Sequence, residues 1–226
     1  MGKRLKRKYP PVMEALTDEG KKGAVLRAAS VLRQGGLVVF PTESFYGLGA
    51  DPFNENAVRR LFKVKGRAPD RPLLLIIPDK DCVRRYALHV NETAVKLMDS
   101  FWPGGLTLVF EAGPEVPDIV TAQTGRIGLR VSSDAIAGGL CTSFGGAITG
   151  TSANPSGTAP FDEALEAADS LKNEVELVID GGRCPGVKPS SVVDVSRTPP
   201  VLIREGMISK DKIGLVTEII TLYENR

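Results

Sequence analysis

The sequence predicts a single α/β domain, leaning towards the α+β class, in which helices flank a twisted sheet of parallel and antiparallel strands. Short apolar runs typical of buried strands alternate with segments whose apolar residues recur at helical spacing. The last strands follow one another closely near the carboxyl end, which favours a mixed sheet over a purely parallel one. A length of 226 residues with 42% hydrophobic residues suits one domain with a sizeable core.

Local signals support the first four elements in turn. Residues 21–34 place apolar side chains three or four positions apart, and the two glycines that follow end the helix. The apolar residues 37–40 predict a buried strand that ends at a proline. An asparagine begins a helix over 54–64, where apolar residues again recur at helical spacing. The run LLLII at 73–77 predicts the next buried strand, which also ends at a proline.

The same alternation continues towards the carboxyl end. Helical spacing recurs at 79–87 and 91–100, and a stretch of small residues near 133–141 separates two strands. A further helix over 161–172 leads to the late strands, the last two of which flank a proline-containing turn. The strands of this part are expected at 106–110, 127–131, 147–150, 176–180, 191–195 and 201–204.

Positive charge is concentrated at the amino end of the chain. Five of the 29 basic residues lie before residue 9, and the remaining residues include fewer basic than acidic groups. Residues 1–12 are therefore interpreted as a basic, flexible tail, and residues 13–226 as the folded, catalytic domain. Because this body is not basic, an RNA-binding or ribosome-maturation module is the alternative function and not the favoured one.

Several protein classes are excluded by what the sequence lacks. No apolar run approaches the roughly 20 residues that a membrane span needs. The cysteines, Cys82, Cys141 and Cys184, lack metal-binding spacing and are typical of reduced thiols, which favours a cytoplasmic location. With His89 as the single histidine, neither a histidine-based metal site nor a Ser-His-Asp triad is expected.

Three polar loops, each next to a predicted strand, carry most of the chemically useful side chains. They are PTESFYGLGADP at 41–52, KVKGRAPDRPL at 63–73 and TSANPSG at 151–157. Loops at strand ends are common positions for binding and catalytic groups. Their hydroxyl, amide and cationic groups indicate a site for an anionic ligand with several functional groups, which favours a nucleotide enzyme.

The cations of the second loop suit phosphate oxygens. Lys63, Lys65, Arg67 and Arg71 lie in one short segment that prolines restrict. Guanidinium groups bind phosphate oxygens in a bidentate manner, and a lysine adds a point charge. A solvated surface without a ligand is the alternative. Arg130, near the end of an apolar strand, also needs an anionic partner, either internal or a ligand.

The side chains of the other two loops allow two interpretations. Ser152 and Asn154 follow a predicted strand, where their side chains either bind a ligand or stabilise an ordinary turn. Thr42, Ser44 and Tyr46 are either capping and turn groups or the donors and acceptors that an amino-acid ligand needs.

Six segments of the chain, in order, resemble the YrdC/TsaC family of threonylcarbamoyl-AMP synthases, over roughly residues 20–206. The three loops resemble that family's PTET-x-YGLG, KGRP-x-x-KPL and SAN-x-SG segments. In addition, FWPGGLT resembles FWPGPLT, PSSVVD resembles PSTVVD, and LIREG resembles ILR-x-G. The resemblance implies the YrdC-like (dihydroxybutanone phosphate synthase-like) fold, in the short, single-domain form of the family.

The resemblance also implies an activity. The chain is expected to be an L-threonylcarbamoyladenylate synthase that uses L-threonine, bicarbonate or CO2, and ATP. Mg²⁺ would accompany ATP, with no metal site on the protein itself. The product would serve N6-threonylcarbamoyladenosine formation at tRNA position 37, so tRNA or the threonylcarbamoyl transferase complex is a further expected partner.

The resemblance assigns roles to particular residues. The family's catalytic set falls on Lys65, Arg67, Ser152 and Asn154. ATP contacts are implied for Lys65, Arg67, Arg71, Ser152, Asn154 and Arg204. Threonine contacts are implied for Thr42, Ser44, Tyr46, Arg130 and Ser190.

Some positions depart from the family pattern. Ser44 stands where threonine is usual, and Arg71 stands where lysine is common, so the hydroxyl group and the charge are retained. The remaining departures, which replace two prolines, a serine and a histidine, are Ala68, Gly105, Pro160 and Ile76.

Overall fold

The computed structural model describes residues 9–68 and 70–221, and helices alternate with strands along it. Its helices are α1 (Asp18–Arg33), α2 (Glu55–Lys65), α3 (Val83–Tyr86), α4 (Glu92–Phe101), α5 (Asp118–Thr121), α6 (Ala135–Phe144), α7 (Ala164–Leu171) and α8 (Lys210–Gly214), with a 3-10 turn at Lys172–Glu174. Its strands are β1 (Val12–Glu14), β2 (Val38–Phe40), β3 (Gly47–Gly49), β4 (Leu74–Ile76), β5 (Leu106–Glu111), β6 (Arg126–Arg130), β7 (Ile148–Thr149), β8 (Thr151–Ser152), β9 (Leu177–Asp180), β10 (Ser191–Asp194), β11 (Val201–Arg204) and β12 (Ile220–Thr221). No helix within the described ranges combines the length and apolarity required to cross a membrane.

The strands form two mixed sheets, whereas the sequence predicts one. The first sheet has the order β1-β9-β2-β3-β8, and the second has the order β12-β11-β10-β5-β6-β4-β7. The division arises because β7 pairs with β4 of the second sheet, while β8, which follows after Gly150, pairs with β3 of the first. The predicted α/β domain with mixed strand directions is confirmed, and the number of sheets is corrected to two.

Helices α1 and α6 pack against each other beside the first sheet. Helix α1 begins at Asp18, before its predicted start, because Thr17 Oγ1 accepts a hydrogen bond from the Gly20 amide at 3.1 Å. Small apolar residues of the two helices, such as Ala28 and Ala137, share one cluster with apolar residues of β2 and β9. This cluster holds the two helices on the sheet.

Helix α2 brings the second polar loop to the edge of the cavity described below. It begins after Asn54, whose side chain accepts a hydrogen bond from the Ala57 amide at 3.1 Å. It ends at Gly66, which has a φ of 56° in the left-handed region that glycine adopts readily. Arg67, which follows this turn, lines the cavity, whereas Lys65, the last residue of the helix, does not.

The larger apolar core lies between the two sheets. Val39 and Leu48 of the first sheet and Leu75 and Leu129 of the second belong to one cluster, and all four are fully buried. Burial of large apolar side chains is the main favourable contribution to folding. The shared core therefore fixes the position of one sheet relative to the other.

The folded body begins before the predicted boundary at residue 13. Strand β1 starts at Val12, and the Pro11 carbonyl oxygen accepts a hydrogen bond from the Val178 amide at 3.0 Å. Parallel pairing with β9 therefore brings these residues into the first sheet. The parts of the predicted tail and domain that lie outside the described residues are 1–8, 69 and 222–226.

Gly206 is expected to be required for the packing of the segment that carries Arg204. A Cβ atom on Gly206 would lie 2.1 Å from the Pro189 carbonyl oxygen and 2.7 Å from the Ser190 carbonyl carbon. Because both are backbone atoms, Gly206→Ala should lower the free energy of unfolding by about 1–3 kcal/mol. For a chain of this size, thermal unfolding should then show a melting temperature lower by several degrees.

Gly138→Ala is the matched control. Gly138 lies within α6, where an added Cβ atom has no neighbour within 4 Å. Alanine is more favourable than glycine inside a helix by about 0.5–1 kcal/mol. The control should therefore melt at the same temperature as the wild type or slightly higher. An unchanged melting temperature for Gly206→Ala would contradict the packing argument.

Candidate active site

A cavity of about 590 Å³ opens where the two sheets meet. Its floor is one face of the second sheet, because alternate residues of β5 and β6 line it. Its wall comes from the turn before β3 and from β8 with its flanking residues. The predicted site residues that line the cavity are Thr42, Ser44, Tyr46, Arg67, Arg130, Ser152, Asn154, Ser190 and Arg204.

Two predicted residues, Lys65 and Arg71, do not line the cavity. The buried Lys65 ammonium group donates hydrogen bonds to the carbonyl oxygens of Ser152 and Asn154, the latter at 2.7 Å. Burial, together with the neighbouring charge of Arg67, lowers the Lys65 pKa to about 8. Lys65 thus holds the backbone of the 151–157 loop, whereas Arg71 is exposed outside the cavity.

Arg67 and Asn154 each keep a buried polar atom without a partner among the described residues. Arg67 donates from Nη2 to the Pro72 carbonyl oxygen at 2.8 Å, but its Nε has no hydrogen-bond partner. Asn154 donates from Nδ2 to the Thr158 carbonyl oxygen at 2.7 Å, and its Oδ1 has no partner. Buried polar atoms are normally paired, so these two atoms are candidates for a contact with a ligand. Burial and the charge of Arg71 lower the pKa of Arg67.

The turn at the start of the first polar loop is fixed by its own hydroxyl groups. Thr42 Oγ1 accepts hydrogen bonds from the amides of Ser44 at 3.2 Å and Phe45 at 3.3 Å, and lies 3.1 Å from Ser44 Oγ. The Tyr46 hydroxyl group donates to the Gly182 carbonyl oxygen at 2.6 Å, and burial raises its pKa. Thr42 and Tyr46 therefore shape the wall.

Arg130 has the internal anionic partner that its position requires. Its Nη1 donates to a carboxylate oxygen of Glu43, and the Ser132 hydroxyl group donates to the other oxygen. The side chains of Arg130 and Glu43 are only 3% and 9% exposed. Burial lowers the pKa of Arg130, and the Glu43 charge acts in the opposite direction. Arg130 Nε is buried without a partner in the described chain.

Ser190 and Arg204 lie together at the other side of the cavity. Arg204 donates to the Ser190 carbonyl oxygen from Nη2 at 2.8 Å and from Nε at 3.2 Å. The Ser190 and Thr107 hydroxyl oxygens are 2.9 Å apart. Burial and the nearby charge of Arg130 lower the pKa of Arg204. These contacts bring the end of β11 to the start of β10.

Sequence reasoning missed one arginine of the site, Arg126. Its Nη1 donates to both carboxylate oxygens of Asp194, at 3.0 and 2.9 Å. The signal was present, because Arg126, Gly128 and Arg130 alternate along β6 and all line the cavity. The predicted strand began one residue too late to include it. Four threonines that line the cavity were also not predicted, namely Thr107, Thr124, Thr151 and Thr158.

The charged side chains among the described residues that line the cavity are all arginines. Four arginines line it, and the described lining residues include no aspartate or glutamate. Within the described ranges, no group of three or more histidine, cysteine, aspartate or glutamate residues could hold a metal ion. Arginines with hydroxyl and amide groups between them bind carboxylate and phosphate groups. The arrangement therefore suits a small polyanionic ligand, since its cations face a cavity and not an open surface.

Two relatives of this chain are synthases by name. The chain is 37% identical over 196 residues to "Threonylcarbamoyl-AMP synthase" of Pyrococcus abyssi. The matched region covers 87% of this chain and 58% of that relative. It is 34% identical over 210 residues to "Putative threonylcarbamoyl-AMP synthase" of Methanocaldococcus jannaschii, covering 93% and 98%, respectively. The chain thus spans less than two thirds of the first relative and nearly all of the second.

A solved structure and a family model also match this chain. The crystal structure of P. abyssi Sua5 complexed with L-threonine matches with a TM-score of 0.86 at 35% identity, over 92% of this chain and 62% of that one. The family model Sua5_yciO_yrdC, described as "Telomere recombination", matches residues 30–206. The resemblance drawn from the six sequence segments is confirmed. The chain belongs to the Sua5/YciO/YrdC family.

Proposed function

We propose that this chain is an L-threonylcarbamoyladenylate synthase, a nucleotidyltransferase that forms L-threonylcarbamoyladenylate and pyrophosphate from L-threonine, bicarbonate or CO2, and ATP. The observation that carries the proposal is the cavity of about 590 Å³, which four arginines line together with hydroxyl and amide groups. The names of the relatives and the L-threonine bound to P. abyssi Sua5 support it.

The amino-acid substrate would bind where the first polar loop meets β6. Arg130 would hold the threonine carboxylate, since the partnerless Nε belongs to an edge of the guanidinium group that Glu43 does not occupy. Ser44 and Ser190, which are both buried and line the cavity, would orient the polar groups of threonine. The hydroxyl groups of Thr42 and Tyr46 would hold the cavity wall in place through their hydrogen bonds.

ATP would bind with its phosphates among Arg67, Arg204, Ser152 and Asn154. The threonine amine would first add to CO2 and lose a proton, or react with bicarbonate with release of water, to form a carbamate. A carbamate oxygen would then attack the α-phosphorus in line. The bond between the α-phosphorus and the bridging oxygen breaks, and pyrophosphate leaves with the electron pair. Guanidinium groups stabilise the charge that develops on the phosphate oxygens. Lys65 would contribute indirectly, by holding the backbone carbonyl groups of the 151–157 loop.

Mg²⁺ would enter as part of the substrate, bound to ATP. Mg²⁺ prefers oxygen ligands and often keeps several waters while it binds substrate phosphates. The described cavity lining offers hydroxyl oxygens but no carboxylate. The phosphate oxygens of ATP would therefore supply the charged ligands of the ion.

The product would be transferred by a separate enzyme to form N6-threonylcarbamoyladenosine at position 37 of ANN-decoding tRNAs. Contact with tRNA or the transferase complex, and a cytoplasmic location, are parts of this proposal. The RNA-binding alternative is not favoured, because the site cations face a cavity of limited volume. Nonspecific RNA binding uses exposed cations along a surface or groove.

Purified protein is expected to release pyrophosphate from ATP only when L-threonine and bicarbonate are both present. Threonine supplies the amine and bicarbonate the carbon of the carbamate that attacks ATP. A coupled pyrophosphate assay, with each substrate omitted in turn, measures this dependence. Release that does not depend on threonine would refute the proposed reaction.

Arg67→Ala is expected to lower kcat/KM for ATP by about 10²-fold or more, because a cation that faces developing phosphate charge is lost. Arg84→Ala, which removes an exposed arginine of α3, is the matched control and should change the value less than threefold. Equal values for the two variants would contradict the role of Arg67.

Tight RNA binding with a steep salt dependence, unaffected by Arg67→Ala in a filter-binding titration, would favour the RNA-binding module.

A further inference from the structure

The Arg130–Glu43 pair contacts only one part of the guanidinium group. Glu43 accepts a hydrogen bond from Nη1, while Nε is buried and has no partner within the described ranges. The edge formed by Nε and Nη2 can bind both oxygens of a carboxylate. Glu43 therefore leaves that edge for a ligand and binds the guanidinium group from another direction.

Glu43 is itself held at both carboxylate oxygens. One oxygen binds Arg130, and the other accepts a hydrogen bond from the Ser132 hydroxyl group. Ser132 Oγ in turn accepts a hydrogen bond from the Asp134 amide at 3.2 Å, at the start of α6. The carboxylate is thus fixed between the end of β6 and the start of α6, and it has little freedom to move with the guanidinium group.

Glu43 does not line the cavity, although both of its chain neighbours, Thr42 and Ser44, do. Its side chain is 9% exposed and contacts Arg130, which does line the cavity. Any effect of Glu43 on a bound ligand must therefore pass through Arg130 or through the turn that carries it.

We propose that Glu43 is a positioning residue, which, with Ser132 as its support, orients Arg130 so that the Nε–Nη2 edge faces the carboxylate of the amino-acid substrate. This proposal rests on the proposed function, because that function supplies the amino acid. It adds two residues that act on the substrate through Arg130. It also explains why the first polar loop carries a carboxylate next to a site for anionic groups.

The test compares L-threonine with L-threoninamide, which lacks the carboxylate charge, in the pyrophosphate assay with the full chain. The wild type should prefer threonine, and Glu43→Ala should reduce this preference in kcat/KM by about tenfold or more, since a charge-assisted hydrogen bond is disturbed. The KM for ATP should change less than about twofold. Glu43→Gln, which keeps an acceptor for Arg130, should recover part of the preference, and Ser132→Ala should lose a smaller part.

Glu55→Gln is the matched control, because Glu55 pairs with Arg59 on the exposed surface of α2 and should leave the preference unchanged. A purely structural role of Glu43 would lower activity with threonine and threoninamide equally, and that result would overturn the proposal. Additive effects of Glu43→Ala and Arg130→Met on the preference would also overturn it, because residues that act through one contact are not additive. If Glu43→Ala does not fold, Glu43→Gln and Ser132→Ala carry the same comparison.

Failure of the proposed function gives a different result from failure of this proposal. Without threonine-dependent pyrophosphate release by the wild type, the proposed reaction is wrong. Calorimetric Kd values for threonine and threoninamide then still measure the contact with Arg130. Threonine-dependent release together with an unchanged preference in Glu43→Ala contradicts the positioning role alone.

Discussion

The passage of the chain from one sheet to the other at Gly150 determines where the cavity can form. Strand β7 before it pairs with β4, and strand β8 after it pairs with β3, so the two sheets must separate at this residue. The Gly150 amide donates to the Leu74 carbonyl oxygen at 2.9 Å, and a Cβ atom on Gly150 would lie 2.6 Å from Ile76 Cγ1. A larger residue would therefore require the Ile76 side chain of β4 to shift. The cavity opens beside this point, since Gly150, Thr151 and Ser152 all line it.

Most elements could be predicted from the sequence because their signals are local. The helix over Asp18–Arg33 and the strands at Leu106–Glu111 and Val201–Arg204 follow apolar periodicity and turn residues. Strand Gly47–Gly49 could not be predicted in this way, since glycine is unfavourable in strands and its pairing partners are distant in sequence. The division into two sheets depends on the same distant pairings.

Most of the predicted site residues line one cavity, and their roles in binding and catalysis stay predictions. Ser152, Asn154 and Arg67 line one cavity, as the loop motifs indicated. Lys65 was grouped with them, but its ammonium group binds backbone carbonyl oxygens of the 151–157 loop instead. The Glu43 contact with β6 was also outside the reach of sequence, because it joins two segments that only the fold brings together.

The four arginines of the cavity are not equivalent in charge. Arg126 and Arg130 each pair with a mostly buried carboxylate, whereas Arg67 and Arg204 have only carbonyl and hydroxyl partners within the described residues. Arg67 and Arg204 therefore lack a carboxylate hydrogen-bond partner within the described residues, and they are the arginines to which the proposed reaction assigns the triphosphate of ATP. An amino acid also carries an ammonium group, which a bare guanidinium would repel. Pairing Arg130 with Glu43 would reduce that repulsion and still leave Nε as a hydrogen-bond donor for a carboxylate, so the proposed function requires no second cavity for the zwitterion.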